Sequence, residues 1–103
     1  MRVAAIQMTA ELGNVKANLK YAKQLANSAF KEGAELVILP EFFTSAVAFH
    51  PKMLDVVRPI DGEPTQLLNQ LAKKYNGIIG GSFIALRGNE IYNTFVSTFP
   101  DAS

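Results

Sequence analysis

Apolar positions along the chain recur in two rhythms. Between Val15 and Phe30 they fall at Val15, Leu19, Ala22, Leu25, Ala26, Ala29 and Phe30, spacings of three and four that form one helical stripe. Asn14 precedes the stripe as an N-cap, because its side-chain oxygen can accept from free N–H groups of the first turn, and Gly33 is the stop signal. A second stripe, Leu67, Leu68, Leu71, Ala72 and Tyr75, opens after Pro64-Thr65 and closes at Asn76-Gly77. Elsewhere the apolar residues run on without alternation, in "RVAAIQM" (Arg2 to Met8), "ELVIL" (Glu35 to Leu39) and "IIGGSFIAL" (from Ile78). Short continuous runs of this kind predict strands buried on both faces. "IYNTFVSTF" is a fourth strand, joined to the third through Gly88-Asn89, a hairpin signal between two β-rich runs.

Strand, helix, strand in that order predicts a right-handed βαβ unit with parallel strands, and an α/β fold. Between Phe42 and Pro64 the chain has no clean period and carries three prolines, so a long loop is expected, with a short helical turn near Met53 to Val57. No internal repeat is visible. At 103 residues the chain fits one small domain with a real core. It stops at "PDAS", directly after the fourth strand, where another turn would begin.

Composition sharpens this picture. Hydrophobic residues make up 49% and charged residues 18%, the latter below the usual ~25%. Wide apolar faces follow, more than this chain covers by itself, so association with the remainder of a longer protein or with another copy is expected. The net charge is +1 and the basic residues are scattered, which argues against nucleic acid and anionic membranes as partners. The absence of cysteine rules out a disulfide framework and a thiolate metal site, and a single histidine argues against a His-based metal site within one chain. The longest apolar runs fall far short of a membrane span and there is no signal-peptide core, so a soluble cytoplasmic protein is the expectation.

The candidate chemistry lies in "LVILPEFF", Leu36 to Phe43. A carboxylate in the most hydrophobic neighbourhood of the chain is costly unless it is paired or neutral. Glu41 follows the carboxyl end of the second strand, where open α/β sheets collect functional groups. Pro40 lacks an N–H and holds Leu39 extended, so the next side chain leaves the strand tip in a fixed direction. A rigidly aimed carboxylate in a partly dry setting suits a general base. Helix capping or a surface salt bridge is an equally open reading of Glu41 from these residues alone. His50, ahead of Pro51, reads as a loop residue without a nucleophile to serve. Gly80-Gly81 lie within a strand and allow close approach of backbone or ligand instead of cradling phosphate. Asp61 and Glu63 read as turn acids. Lys16, Lys20, Lys23, Lys31, Lys73 and Lys74 belong to solvated helix faces.

The ordered series "VAAIQM", a long helix, "GAELVILPEFF", "GEPTQLLNQLAKKYNGIIGGSF" and "IYNTFVSTFPD" resembles the N-terminal part of the nitrilase superfamily, the carbon–nitrogen hydrolases. The resemblance covers the whole chain and implies the N-terminal portion of a four-layer αββα sandwich, in the order β-α-β-(loop)-α-β-β, with residues 1–103 as a partial domain. It also implies hydrolysis of a small-molecule amide, carbamoyl compound or nitrile by a glutamate, lysine and cysteine set, without metal or cofactor. Glu41 matches the glutamate, and Phe42, Phe43 and Phe49 match the loop that lines the substrate pocket, core or interface packing being an equally open reading of the three phenylalanines. The lysine and cysteine positions fall beyond Ser103, and the family's Asp-Gly turn reads Asp101-Ala102 here. The chain by itself is therefore expected to be inactive. The alternative is a non-catalytic α/β module that acts through binding or assembly.

Overall fold

The structure, a computed structural model, describes residues 1–45 and 57–100. The helical stripes form as expected. Helix α1 runs Val15–Lys31, and Asn14 Oδ1 accepts from the Ala17 N–H at 3.1 Å, which satisfies one of the donors the first turn leaves free. Helix α2 runs Glu63–Tyr75, starting one residue ahead of Pro64, and ends on Asn76 in the left-handed conformation (φ 50°). The buried side chains of the two helices, Leu19, Ala22, Ala26 and Phe30 from one and Leu68, Leu71 and Ala72 from the other, are those of the two stripes. Phe30 stacks on Tyr75 with ring centroids 4.9 Å apart, joining the helices at their C-terminal ends.

The strands are β1 (Val3–Ala5), β2 (Leu36–Ile38), β3 (Arg58–Pro59), β4 (Ile78–Arg87) and β5 (Glu90–Thr98). β1 pairs parallel with β2, and β2 parallel with β4 in the register Leu36↔Ile78 to Ile38↔Gly80. β5 returns antiparallel along the length of β4, through a turn whose Gly88 takes a φ of +63°. That left-handed geometry is what a two-residue hairpin demands of its first central position. Because β5 occupies one edge of β4 from Ile79 to Arg87, β2 and β3 must share the other edge. β2 takes the start, at Ile78 to Gly80, and β3 takes the end, at Ala85 and Leu86. Between them is a gap in the ladder, and the chain leaving β2 turns there.

Register decides the faces. Val37, Ile79, Phe83 and Ala85 point to the helices and are fully buried, forming one core with the two helical stripes. Val3, Ile38, Leu86, Ile91 and Phe95 point the other way and are exposed, Val3 at 56% and Phe95 at 58%. Ile84 lies on the same face and is nevertheless buried, at 2% exposure, so this second face is bare only in part.

Two expectations change. The first strand is three residues long instead of the whole of Arg2 to Met8, and it is an edge strand with Val3 and Ala5 exposed, because only β2 flanks it. Its pairing fades after the Ile6 N–H to Ile38 O bond of 2.9 Å. Part of the expected loop is the strand β3, whose Pro59 is tolerated because it lies at the sheet edge. The helical turn expected from Met53 lies outside the described residues, as does His50.

Candidate active site

Leu39 extends the β2 ladder by one more bond, from its N–H to Gly80 O at 2.8 Å, and Pro40 then ends it. Glu41 to Ser45 form a tight turn in the gap between β2 and β3. Two consecutive amides of this turn are taken by one residue of β4: the Phe42 N–H donates to Ser82 Oγ at 3.2 Å, and the Phe43 N–H to Ser82 O at 3.3 Å. Phe42 is left-handed, with a φ of 53°. For a bulky side chain that conformation costs about 1–2 kcal/mol and persists only where the surroundings impose it.

What imposes it is the packing of the next residue. Phe43 is fully buried, edge-on to Phe83 with ring centroids 6.3 Å apart. Its ring lies on Gly81, where a Cβ would stand 2.9 Å from Phe43 Cδ1 and 3.0 Å from Leu39 Cβ. Gly80 does the same on the open face, where a Cβ would meet Phe95 Cζ at 2.7 Å. Adjacent glycines thus admit one aromatic ring on each face of the sheet, the close approach their place in a strand suggests.

On the far side the turn is tied to helix α1. Asn18, 1% exposed, donates from Nδ2 to Thr44 O and to Glu11 O, both at 2.8 Å, and its Oδ1 accepts from the Glu11 N–H at 2.7 Å. Gly13 N–H adds a bond to Ser45 O at 3.0 Å.

Held in this way, Glu41 directs its side chain over the open face of the sheet. It is exposed, and Asn93 Nδ2 of β5 donates to its Oε2 at 3.3 Å. The expected dry setting is therefore not what the described residues provide: Val37 and Leu39 of the run that precedes Glu41 go into the core while its carboxylate does not. The carboxylate lines a cleft of about 450 Å³ together with Ile38, Leu39, Pro40, Ser82, Asn93 and Phe95. A carboxylate with one oxygen held by an amide and the other free can accept a proton from a group that enters such a cleft.

Of the phenylalanines expected at a pocket, Phe43 packs beneath the turn and Phe42 is half-buried on it, outside the lining of this cleft, while Phe49 lies outside the described residues. Asn18, Ser82 and Asn93 were not singled out from sequence. Asn18 carried a signal: a polar residue three after Val15 and four before Ala22 sits on the buried stripe, where an amide needs partners. Asn93 shares a strand face with Ile91 and Phe95 by simple alternation. Among the described residues no three His, Cys, Asp or Glu side chains are grouped to hold a metal, and no helix is long and apolar enough to cross a membrane.

Comparison with known proteins bears on the family and the fold. The carbon-nitrogen hydrolase family model matches residues 2–103. Omega-amidase NIT2 of Mus musculus is 37% identical over 106 residues, which include 99% of this chain and 37% of the mouse protein. A nitrilase of Pyrococcus abyssi is 29% identical over 103 residues, 97% of this chain and 39% of its own length. Among solved structures, a CN-hydrolase superfamily protein of Xanthomonas campestris, with an arsenic adduct in its active site, superposes with a TM-score of 0.85 at 25% identity. That match covers 97% of this chain and 37% of the other. An N-terminal amidase bound to a Gln-Val peptide shares the fold, with a TM-score of 0.81 at 20% identity over 95% of this chain and 25% of its own. The chain thus spans well under half the length of each.

Proposed function

The chain belongs to the carbon–nitrogen hydrolase family, and on that premise we propose that the complete protein hydrolyses a non-peptide carbon–nitrogen bond with Glu41 as general base. The observation that carries this reading is the Glu41 carboxylate, delivered to an open cleft by a turn that is pinned on both sides. The substrate class is an amide, carbamoyl compound or nitrile. A primary ω-amide is the first to assay, given the name of the mouse relative.

In the reaction proposed for an amide, the free Glu41 oxygen takes the proton of a cysteine thiol as the sulfur attacks the carbonyl carbon. A lysine ammonium stabilises the oxygen that gains charge. The C–N bond then breaks, the proton held by Glu41 leaves with the nitrogen as ammonia, and a thioester remains. Water, losing a proton to the same carboxylate, attacks the thioester and releases the acid and the thiol. The cysteine and lysine belong to the family's positions after β5 and are part of this proposal, as is residues 1–103 being a partial domain.

Two consequences belong to the same reading. The 103-residue chain alone has a base with no thiol to deprotonate and is inactive. Its partly bare face, with Val3, Ile38, Leu86, Ile91 and Phe95 exposed, associates with the remainder of the protein or with another copy, because apolar patches beyond ~400 Å² seldom stay bare. A cytoplasmic location is part of the same proposal. The test is Glu41→Gln in the complete protein, assayed on succinamate, glutaramate, N-carbamoylalanine and propionitrile. Loss of a general base removes about 10²–10⁴-fold in rate. Full turnover by the variant would refute the reading. Light scattering of the 103-residue chain tests association, and a stable folded monomer would refute that part.

A further inference from the structure

We propose that Asn18 is a positioning residue for Glu41, acting through the turn that carries it; the inference rests on the general-base reading above. Asn18 is not among the residues that line the cleft. Both of its N–H donors and its carbonyl oxygen are nonetheless engaged by the two segments that hold the Glu41 turn. Three short bonds, of 2.7, 2.8 and 2.8 Å, join it to the Glu11 N–H, the Glu11 carbonyl and the Thr44 carbonyl.

An amide suits this place better than any other uncharged side chain of its size. It must accept from one backbone group while donating to two carbonyls, which an alcohol cannot do and a carboxylate would oppose. The site is 1% exposed, so water offers no substitute for a lost bond. Thr44, the residue whose carbonyl is held, is also fully buried, and its own hydroxyl has no hydrogen-bond partner among the described residues. Its side chain therefore adds no hydrogen bond to secure the turn.

The opposite side of the turn is fixed by Ser82 and by the seating of Phe43 on Gly81. That side supports the left-handed Phe42, a conformation that relaxes if the chain is released at either end. Asn18 closes the other end three residues after Glu41. With both ends fixed, the carboxylate has one direction over the cleft. With the Asn18 bonds lost, that end keeps the Gly13 N–H to Ser45 O bond but is held less firmly, so the turn can shift about Ser82 and move Glu41 off its line of attack. A displacement of about 1 Å at a reacting group can cost about 10²-fold in rate.

The experiment uses the complete protein with the most rapidly hydrolysed of succinamate, glutaramate, N-carbamoylalanine and propionitrile. Asn18→Leu removes all three bonds at similar volume, and Asn18→Asp keeps the acceptor and loses both donations. Both are measured well below their unfolding temperatures, with rates expressed per active site by burst titration. The expected result is a kcat reduced about 10–100-fold with KM within about threefold. In a Glu41→Gln background the Asn18 substitutions should lower the residual rate by less than twofold, because a residue that works through Glu41 has nothing left to position.

A kcat per active site within twofold of wild type overturns the inference. So does an effect of equal size in the Glu41→Gln background, which would make Asn18 a general support of the fold. Failure of both variants to fold assigns Asn18 to stability alone and overturns it as well. If Glu41→Gln itself retains full activity, the general-base reading has failed, a different outcome from a strong Glu41 effect with a silent Asn18.

Discussion

Adding one methyl group to Gly81 tests whether the turn is seated as tightly as the coordinates indicate. In an ordinary strand Gly→Ala stabilises by about 0.4–1 kcal/mol, since alanine has fewer unfolded conformations to lose. Here the new Cβ would stand 2.9 Å from Phe43 Cδ1, 3.0 Å from Phe43 Cε1 and 3.0 Å from Leu39 Cβ. Favourable carbon–carbon separations are about 3.5–4.0 Å, so each contact needs roughly half an ångström or more of relief. Neither neighbour gives easily. Leu39 Cβ is attached to backbone bonded to Gly80, and the Phe43 ring is enclosed against Phe83. Overpacking of this kind costs about 1–3 kcal/mol, and a net loss of about 1–2 kcal/mol remains after the entropic gain. Because Leu39 and Phe43 flank Glu41 by two residues on either side, their displacement should also lower kcat about 10–100-fold. Urea unfolding and steady-state kinetics of Gly81→Ala in the complete protein measure both quantities. Gly80→Ala is the comparison: a Cβ there would meet the tip of Phe95, an exposed side chain free to swing, and the Val96 carbonyl oxygen at 3.0 Å, which is not. It should cost stability as well, and should change KM more than Gly81→Ala does, Phe95 being a wall of the cleft. A Gly81→Ala protein as stable and active as wild type would refute the seating of Phe43 on β4.

Three further outcomes follow from the same coordinates. Phe43→Ala should cost about 3–5 kcal/mol by urea unfolding, because a fully buried ring leaves a cavity beneath the turn; a loss under about 1 kcal/mol would contradict that burial. Asn14→Ala should cost about 1 kcal/mol through loss of the cap on α1, and Asn14→Ser should restore most of it. The Tyr92 phenol is raised above its ordinary value, first by its hydrogen bond to Glu90 and then by burial, with Arg87 opposing. Its folded state holds the proton longer than the unfolded chain does, so its contribution is complete below about pH 10 and is lost as pH rises through the folded value. Absorbance titration at alkaline pH should show the Tyr92 transition moving down in Glu90→Gln, and no movement would remove the bond as its cause.

Most of the scaffold was legible because it rests on periodicity. The stripes from Val15 to Phe30 and from Leu67 to Tyr75 became the two buried helix faces, and Gly88-Asn89 became the hairpin. Two features escaped. β3 is two residues long, too short to express a period, and exists only because β4 has an unused edge there. The exposure of Glu41 escaped for a related reason: the run "LVIL" reads as uniformly dry, but its side chains alternate between the core and the bare face, with Val37 and Leu39 buried and Ile38 exposed. For the site, sequence singled out Glu41 and missed its supports. Asn18, Ser82 and Asn93 meet the turn across separations of 26, 40 and 52 residues, and no local pattern encodes such pairings.

Those separations also set an order of assembly. The amide of Phe42 finds its acceptor on Ser82, forty residues further along the chain. A ribosome adding about 5–20 residues per second delivers that serine roughly 2–8 s after Phe42. Throughout that interval β1, α1 and β2 can be present while the edge that receives the turn is not. Hydrogen exchange during refolding should accordingly protect the amides of Phe42 and Phe43 late, with β4, and not early with α1. Glu41 is made early and becomes a positioned group only when the strand that carries Ser82 has docked.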